Sequence, residues 1–149
     1  MDRRNCWQVL LGRSEQAVDH ARQGCLRAAQ RVSQLEAQMQ RLQTLQADYS
    51  RRLREAQDQA QGIAQTVSYR NFLAQIGSLI ERTAQDLNAA QAVVAAARRD
   101  LQRCEREQSK YEALIEREDT LAFKLAEASE QRVLEELAIS RFIQQQRSA

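Results

Sequence analysis

The segment Gln61–Ser68, QGIAQTVS, decides how this chain folds. On either side of it, apolar residues recur at alternating three- and four-residue spacings, as in a helix that packs along a seam. A helical segment here would leave one long helix in need of a second copy; a turn lets the two halves pair with each other. Gly62 suits the left-handed residue that ends a helix, and Thr66 or Ser68 suits the cap that starts the next. A break this short favours antiparallel neighbours. The reading is all-α: an antiparallel two-helix coiled-coil hairpin, an elongated rod, forming one domain over residues 1–149. Helix one is expected at about 5–61, the turn at about 62–68 and helix two at about 69–146.

Before the segment, heptad position a falls on Leu11, Val18, Cys25, Val32, Met39, Gln46, Leu53 and Ala60, and position d on Trp7, Ser14, Ala21, Ala28, Leu35, Leu42, Tyr49, Ala56 and Ile63. After it, a falls on Leu73, Ile80, Leu87, Val94, Leu101, Gln108, Ile115 and Ala122, and d on Ile76, Thr83, Ala90, Ala97, Cys104, Tyr111, Glu118 and Leu125. The pattern loosens beyond Glu118, where Ser129 and Arg132 take seam slots before Val133, Leu134, Leu137, Ala138 and Phe142 regroup. Asn5 and Gln8 offer a weak N-terminal cap. Helix two would run about 115 Å at 1.5 Å per residue and outreach helix one at the end holding both termini. A net basic stretch, Asp2–Arg31, would then lie beside a net acidic one, Glu105–Glu136.

Composition agrees with long helices. The 149 residues include no proline, four glycines and 5% aromatics, with 28% charged, and the mean hydropathy is −0.65. Turn-rich globular folds draw on Gly and Pro, so a thick core is not expected. The net charge of +2 points to neither nucleic acid nor an anionic membrane, and no apolar run reaches the length of a bilayer span. The first residues lack the pattern of a secretory signal, and the expected compartment is the cytosol.

Chemistry-bearing residues are sparse. His20 falls at an outward position with no partner one turn away. Cys6, Cys25 and Cys104 are an odd number without the spacing of a disulfide framework or a zinc site. No glycine-rich phosphate loop and no Ser–His or Cys–His pair is present, so neither an enzyme nor a cofactor is expected. Arg51, Arg52 and Arg54, and the pair Arg98 and Arg99, are interleaved with acids and lack stacking aromatics, which reads as a solvated face.

One stretch carries more apolar groups than a helix pair needs: SYRNFLAQIGSLI, Ser68–Ile80. With Leu73 at a and Ile76 at d, Phe72 and Leu79 fall at g, beside the seam, and Leu45 is at g on helix one. In an antiparallel pair the two g columns share a flank. Gln38, Leu42, Leu45 and Tyr49 on one helix, with Phe72, Ile76, Leu79 and Thr83 on the other, border it. Such an exposed strip marks a docking site.

LQADYSRRLREA from Leu45, the Ser68 stretch and the late EQRVLEELAISRF together resemble the FliJ family of flagellar type III export proteins. The resemblance implies a hairpin in the cytosolic part of the export apparatus, peripheral at the inner face of the membrane. It implies that the end with both termini inserts into a hexameric FliI-like export ATPase, promoting its assembly or activity. It also implies contact with an FlhA-like export gate and a role in recycling export chaperones. The gate contact maps onto Gln38, Leu42, Leu45, Tyr49, Phe72, Ile76, Leu79 and Thr83. Leu45 stands where the family has an aromatic and Thr83 where it has a histidine, so a weaker or altered contact is expected. For the ATPase end, surplus apolar groups nominate Trp7, Leu10, Leu137, Arg141 and Phe142. The alternatives are a YscO-type stalk of a non-flagellar injectisome and a generic coiled-coil tether.

Overall fold

The computed structural model describes residues 3–59 and 62–148. The seam position expected at Ala60 and the helix-one end expected at Gln61 lie outside the described residues, as do Met1, Asp2 and Ala149. The helices are α1, Arg3–Asp58, and α2, Ile63–Arg147. Asn5 is therefore inside α1 rather than capping it. The first turn of α1 holds no acid, although acids are what a helix N-terminus favours. Arg4 there is bridged at 3.3 Å by Asp119 of α2.

The connection is shorter than expected, and Gly62 plays the opposite part. Gln59 N–H still donates to the Glu55 carbonyl at 3.0 Å, continuing the α1 pattern. The Gly62 carbonyl accepts from Gln65 N–H at 3.1 Å and Thr66 N–H at 3.3 Å, so Gly62 is the N-cap of α2 and not a left-handed terminator of α1. Thr66 and Ser68, expected in the turn as caps, are helical. The physical reason is the seam. One heptad before Leu73 and Ile76 stand Thr66 and Tyr69, both half-buried, so seam packing holds this first part of α2 in helix. Ile63, expected in the first helix's seam, instead opens α2 and is 84% exposed.

The chain divides into two compact units. The unit of residues 19–103 contains the turn, and its helices run antiparallel: Tyr49 meets Phe72, and Gln38 bonds Thr83. In the unit of residues 1–18 and 104–149, Arg4 bridges Asp119 and Trp7 meets Tyr111, which is again antiparallel.

Within both units the heptad reading holds. Every described a and d position from Trp7 to Ala56, and from Leu73 to Glu118, is buried or half-buried. The deepest are mostly small: Ser14, Ala21, Ala28, Ala56, Ala90 and Cys104, with Val18, Leu35, Ile76 and Thr83 as the larger members. Small d residues let two helix backbones approach closely, which gives dispersion contacts without bulky side chains. Ser14 satisfies its hydroxyl by donating to the Leu11 carbonyl at 2.7 Å.

The seam ends at Glu118. Ala122 and Leu125, expected to continue it, are exposed. With Arg4 beside Asp119, no described residue of α1 remains to cover the rest of α2. Every described residue of α2 from Asp119 onward is exposed, a segment of about 43 Å to Arg147 at 1.5 Å per residue.

Candidate functional site

The predicted flank lies wholly in the unit of residues 19–103, and the structure sorts its eight residues by depth. Ile76 and Thr83 are each only 2% exposed; they point into the seam and present no surface to a partner. Leu42 and Tyr49 are half-buried, whereas Gln38, Leu45, Phe72 and Leu79 are exposed. The accessible strip is therefore Gln38, Leu45, Phe72 and Leu79, with the edges of Leu42 and Tyr49.

Aromatic contacts fix its form. The Tyr49 and Phe72 rings lie 4.5 Å apart, tilted by 47°, and Tyr69 meets Tyr49 edge-on at 6.1 Å. The Arg52 guanidinium sits 5.1 Å over the Tyr49 ring and also reaches Asp48 at 3.4 Å. The ring contacts bridge α1 and α2, so one face of Phe72 packs while the other meets solvent. Gln38 Nε2 donates to Thr83 Oγ1 at 3.4 Å, giving the buried hydroxyl a partner.

The other flank contrasts with it. Its e positions are largely polar or charged, among them Glu36, Gln43, Ser50, Gln91 and Arg98, interrupted by Gly77 and Ala84. Around Leu45, Phe72 and Leu79, one side of the helix pair is thus apolar and the other wet.

The five residues nominated for the terminal end all fall in the second unit but are not brought together. Trp7 and Leu10 are half-buried, and Trp7 packs on Tyr111 with ring centroids 6.3 Å apart. Leu137, Arg141 and Phe142 are exposed on the uncovered part of α2, about 39 to 47 Å beyond Tyr111 along the helix axis. Trp7 and Leu10 close the helix pair; the late residues present free surface. Around them Leu121, Phe123, Leu125, Val133, Leu134, Ile139 and Ile143 are also at least half exposed or nearly so. The sequence reading already names Leu125, Val133 and Leu134, and extending the heptad further would have added Ile139 and Ile143.

Elsewhere the outward residues fit a solvated face. His20 is exposed, Arg51 is held by Asp48 at 2.6 Å, and Cys6, Cys25 and Cys104 are free thiols. Among the described residues, no cluster of three His, Cys, Asp or Glu could hold a metal ion, and no helix is long and apolar enough to cross a membrane.

No curated protein matches the sequence. The fold matches the solved structure of the "putative YscO homolog CT670 from Chlamydia trachomatis", with a TM-score of 0.69 and 18% identity over 95% of this chain and 91% of that one. At that identity the likeness is one of fold. The model of the flagellar FliJ protein family matches residues 7–147, which takes in both helices and the whole of the flank. The chain is a member of the FliJ family.

Proposed function

We propose that this protein is the stalk-type component of a type III export apparatus, with α2 inserting its uncovered end into a hexameric FliI-like ATPase. The observation that carries this reading is the segment after Glu118, in a chain of this family. A lone helix that exposes Leu, Ile, Val and Phe side chains over several turns is not at rest in water. Enclosure by subunits of a ring would bury more than one of its faces. The flank of Leu45, Phe72 and Leu79 would meanwhile engage an FlhA-like gate at the cytoplasmic face of the membrane, and export chaperones would exchange on the same apparatus. The chain itself would do no chemistry: its part is to bias assembly of the ring and to link it to the gate.

The test is hydrolysis and ring assembly by a FliI-type ATPase with and without this protein. The full chain should stimulate both, and a chain cut after Glu136 should lose most of that stimulation. Undiminished stimulation by the shortened chain would reject insertion through α2.

A further inference from the structure

The residues of α2 that α1 leaves uncovered are self-complementary, and we propose that they pair with the same segment of a second copy, antiparallel, as a two-fold dimer. The proposal does not depend on the export reading.

Continuing the heptad beyond Glu118 puts Ala122, Leu125, Ser129, Arg132, Glu136, Ile139, Ile143 and Gln146 on the seam face, all of them exposed. In an antiparallel coiled coil, the a residues of one helix lie opposite the d residues of the other. Applied to two copies of α2, one register sets Leu125 against Ile143 of the second copy, Ser129 against Ile139, and Arg132 against Glu136. The two-fold axis repeats each layer. Leu125 and Ile143 are then buried together towards each end, with Ala122 against Gln146 outside them, and the two central layers are oppositely charged pairs.

The charges choose both orientation and register. A parallel pair would stack Arg132 on Arg132 and Glu136 on Glu136, which is repulsive. A slip of one heptad would place Arg132 against Ile143 in one direction, or Glu136 against Leu125 in the other, burying a charge on an aliphatic side chain. Only the central register satisfies both kinds of residue. The second helix would occupy the place beside α2 that α1 vacates near Asp119, so the seam would run on with a new occupant.

Sedimentation equilibrium of the full chain from about 1 to 100 μM tests this, with helicity followed by circular dichroism. The expected result is a reversible species of twice the 17.1 kDa chain mass. Arg132→Glu or Glu136→Arg alone should shift the equilibrium towards monomer at least tenfold with helicity retained. The double exchange Arg132→Glu/Glu136→Arg should restore the dimer, because the pairs re-form with reversed sign. A chain that stays monomeric at the highest concentration overturns the proposal. So does a dimer indifferent to both single exchanges, as a parallel or differently seated pair would be, or a double exchange that fails to restore it.

Discussion

Gly62 and Gly77 show how much a single position can carry in a protein with almost no turn. At Gly62 the backbone is not left-handed and nothing lies within 4 Å of a would-be Cβ. The residue serves as a cap but has no side chain to reach the free N–H groups of the first turn of α2. Gly62→Ser or Gly62→Asp should supply that acceptor and raise stability by a few tenths of a kcal/mol, seen as a small rise in the urea midpoint with unchanged slope. Gly77 sits within α2 on the polar flank, half-buried, and a methyl group there again meets nothing within 4 Å. Gly77→Ala should therefore stabilise by about 1 kcal/mol. A loss of stability would mean that close backbone approach at this point, not visible in the side chains, requires glycine. On the apolar flank, Ile76 and Phe72 are four residues apart yet should behave differently. Ile76→Ala removes a buried seam side chain and should cost about 2–4 kcal/mol. Phe72→Ala forfeits the contact with Tyr49, worth about 1 kcal/mol, and Leu79→Ala should cost less than either. A double Phe72→Ala/Leu79→Ala variant should thus remain folded while losing the contact with an FlhA-like gate proposed for this flank. Melting curves separate the two classes.

At the scale of the helices, periodicity is the legible part and the ends are not. The a and d residues announce their burial because each needs only its own helix's spacing to be recognised, and the described seam tracks them residue by residue. The turn misleads because glycine serves equally well after one helix and before the next; Thr66 and Tyr69, polar and amphipathic, hide the early start of α2. Where α1 stops covering α2 depends on how the two helices are aligned, which no single helix records. The docking flank is partly legible for the same reason. The g column identifies Leu45, Phe72 and Leu79, and the d positions of Ile76 and Thr83 already mark them as seam residues, which their inclusion in the flank set aside. The terminal end divides likewise: Trp7 and Leu10 have partners waiting on α2, and Leu137 and Phe142 have none. Limited proteolysis checks this division. At dilutions where the chain is monomeric, sites after Arg132 and Arg141 should be cut by trypsin well before Arg22 or Arg82, because a helix without a neighbour frays and unfolds locally at little cost. Equal rates would show that the late segment is covered.

For the molecule as a whole, the order in which contacts can form is set by how far apart their residues stand in the chain. Tyr49 and Tyr69 are joined through a short connection, while Arg4 and Asp119 face each other only after nearly the whole chain has been organised. Closing a longer loop costs more conformational entropy, although slowly with length. Once the pair near Gly62 has formed, each further layer adds to an existing one, so the structure can close like a zipper from the turn. Opening should run in reverse. Amide hydrogen exchange should therefore be slowest between Leu35 and Leu87, and graded towards faster exchange at Trp7 and Tyr111. On the stalk role proposed above, the gradient falls towards the end that would meet the ATPase. The helices can part beside Trp7, re-pairing within microseconds to milliseconds, while the joint at Gly62 stays shut. A partner that met the parted helices beside Trp7 would then find a surface that adjusts to it, while the pairing of Tyr49 with Tyr69 held.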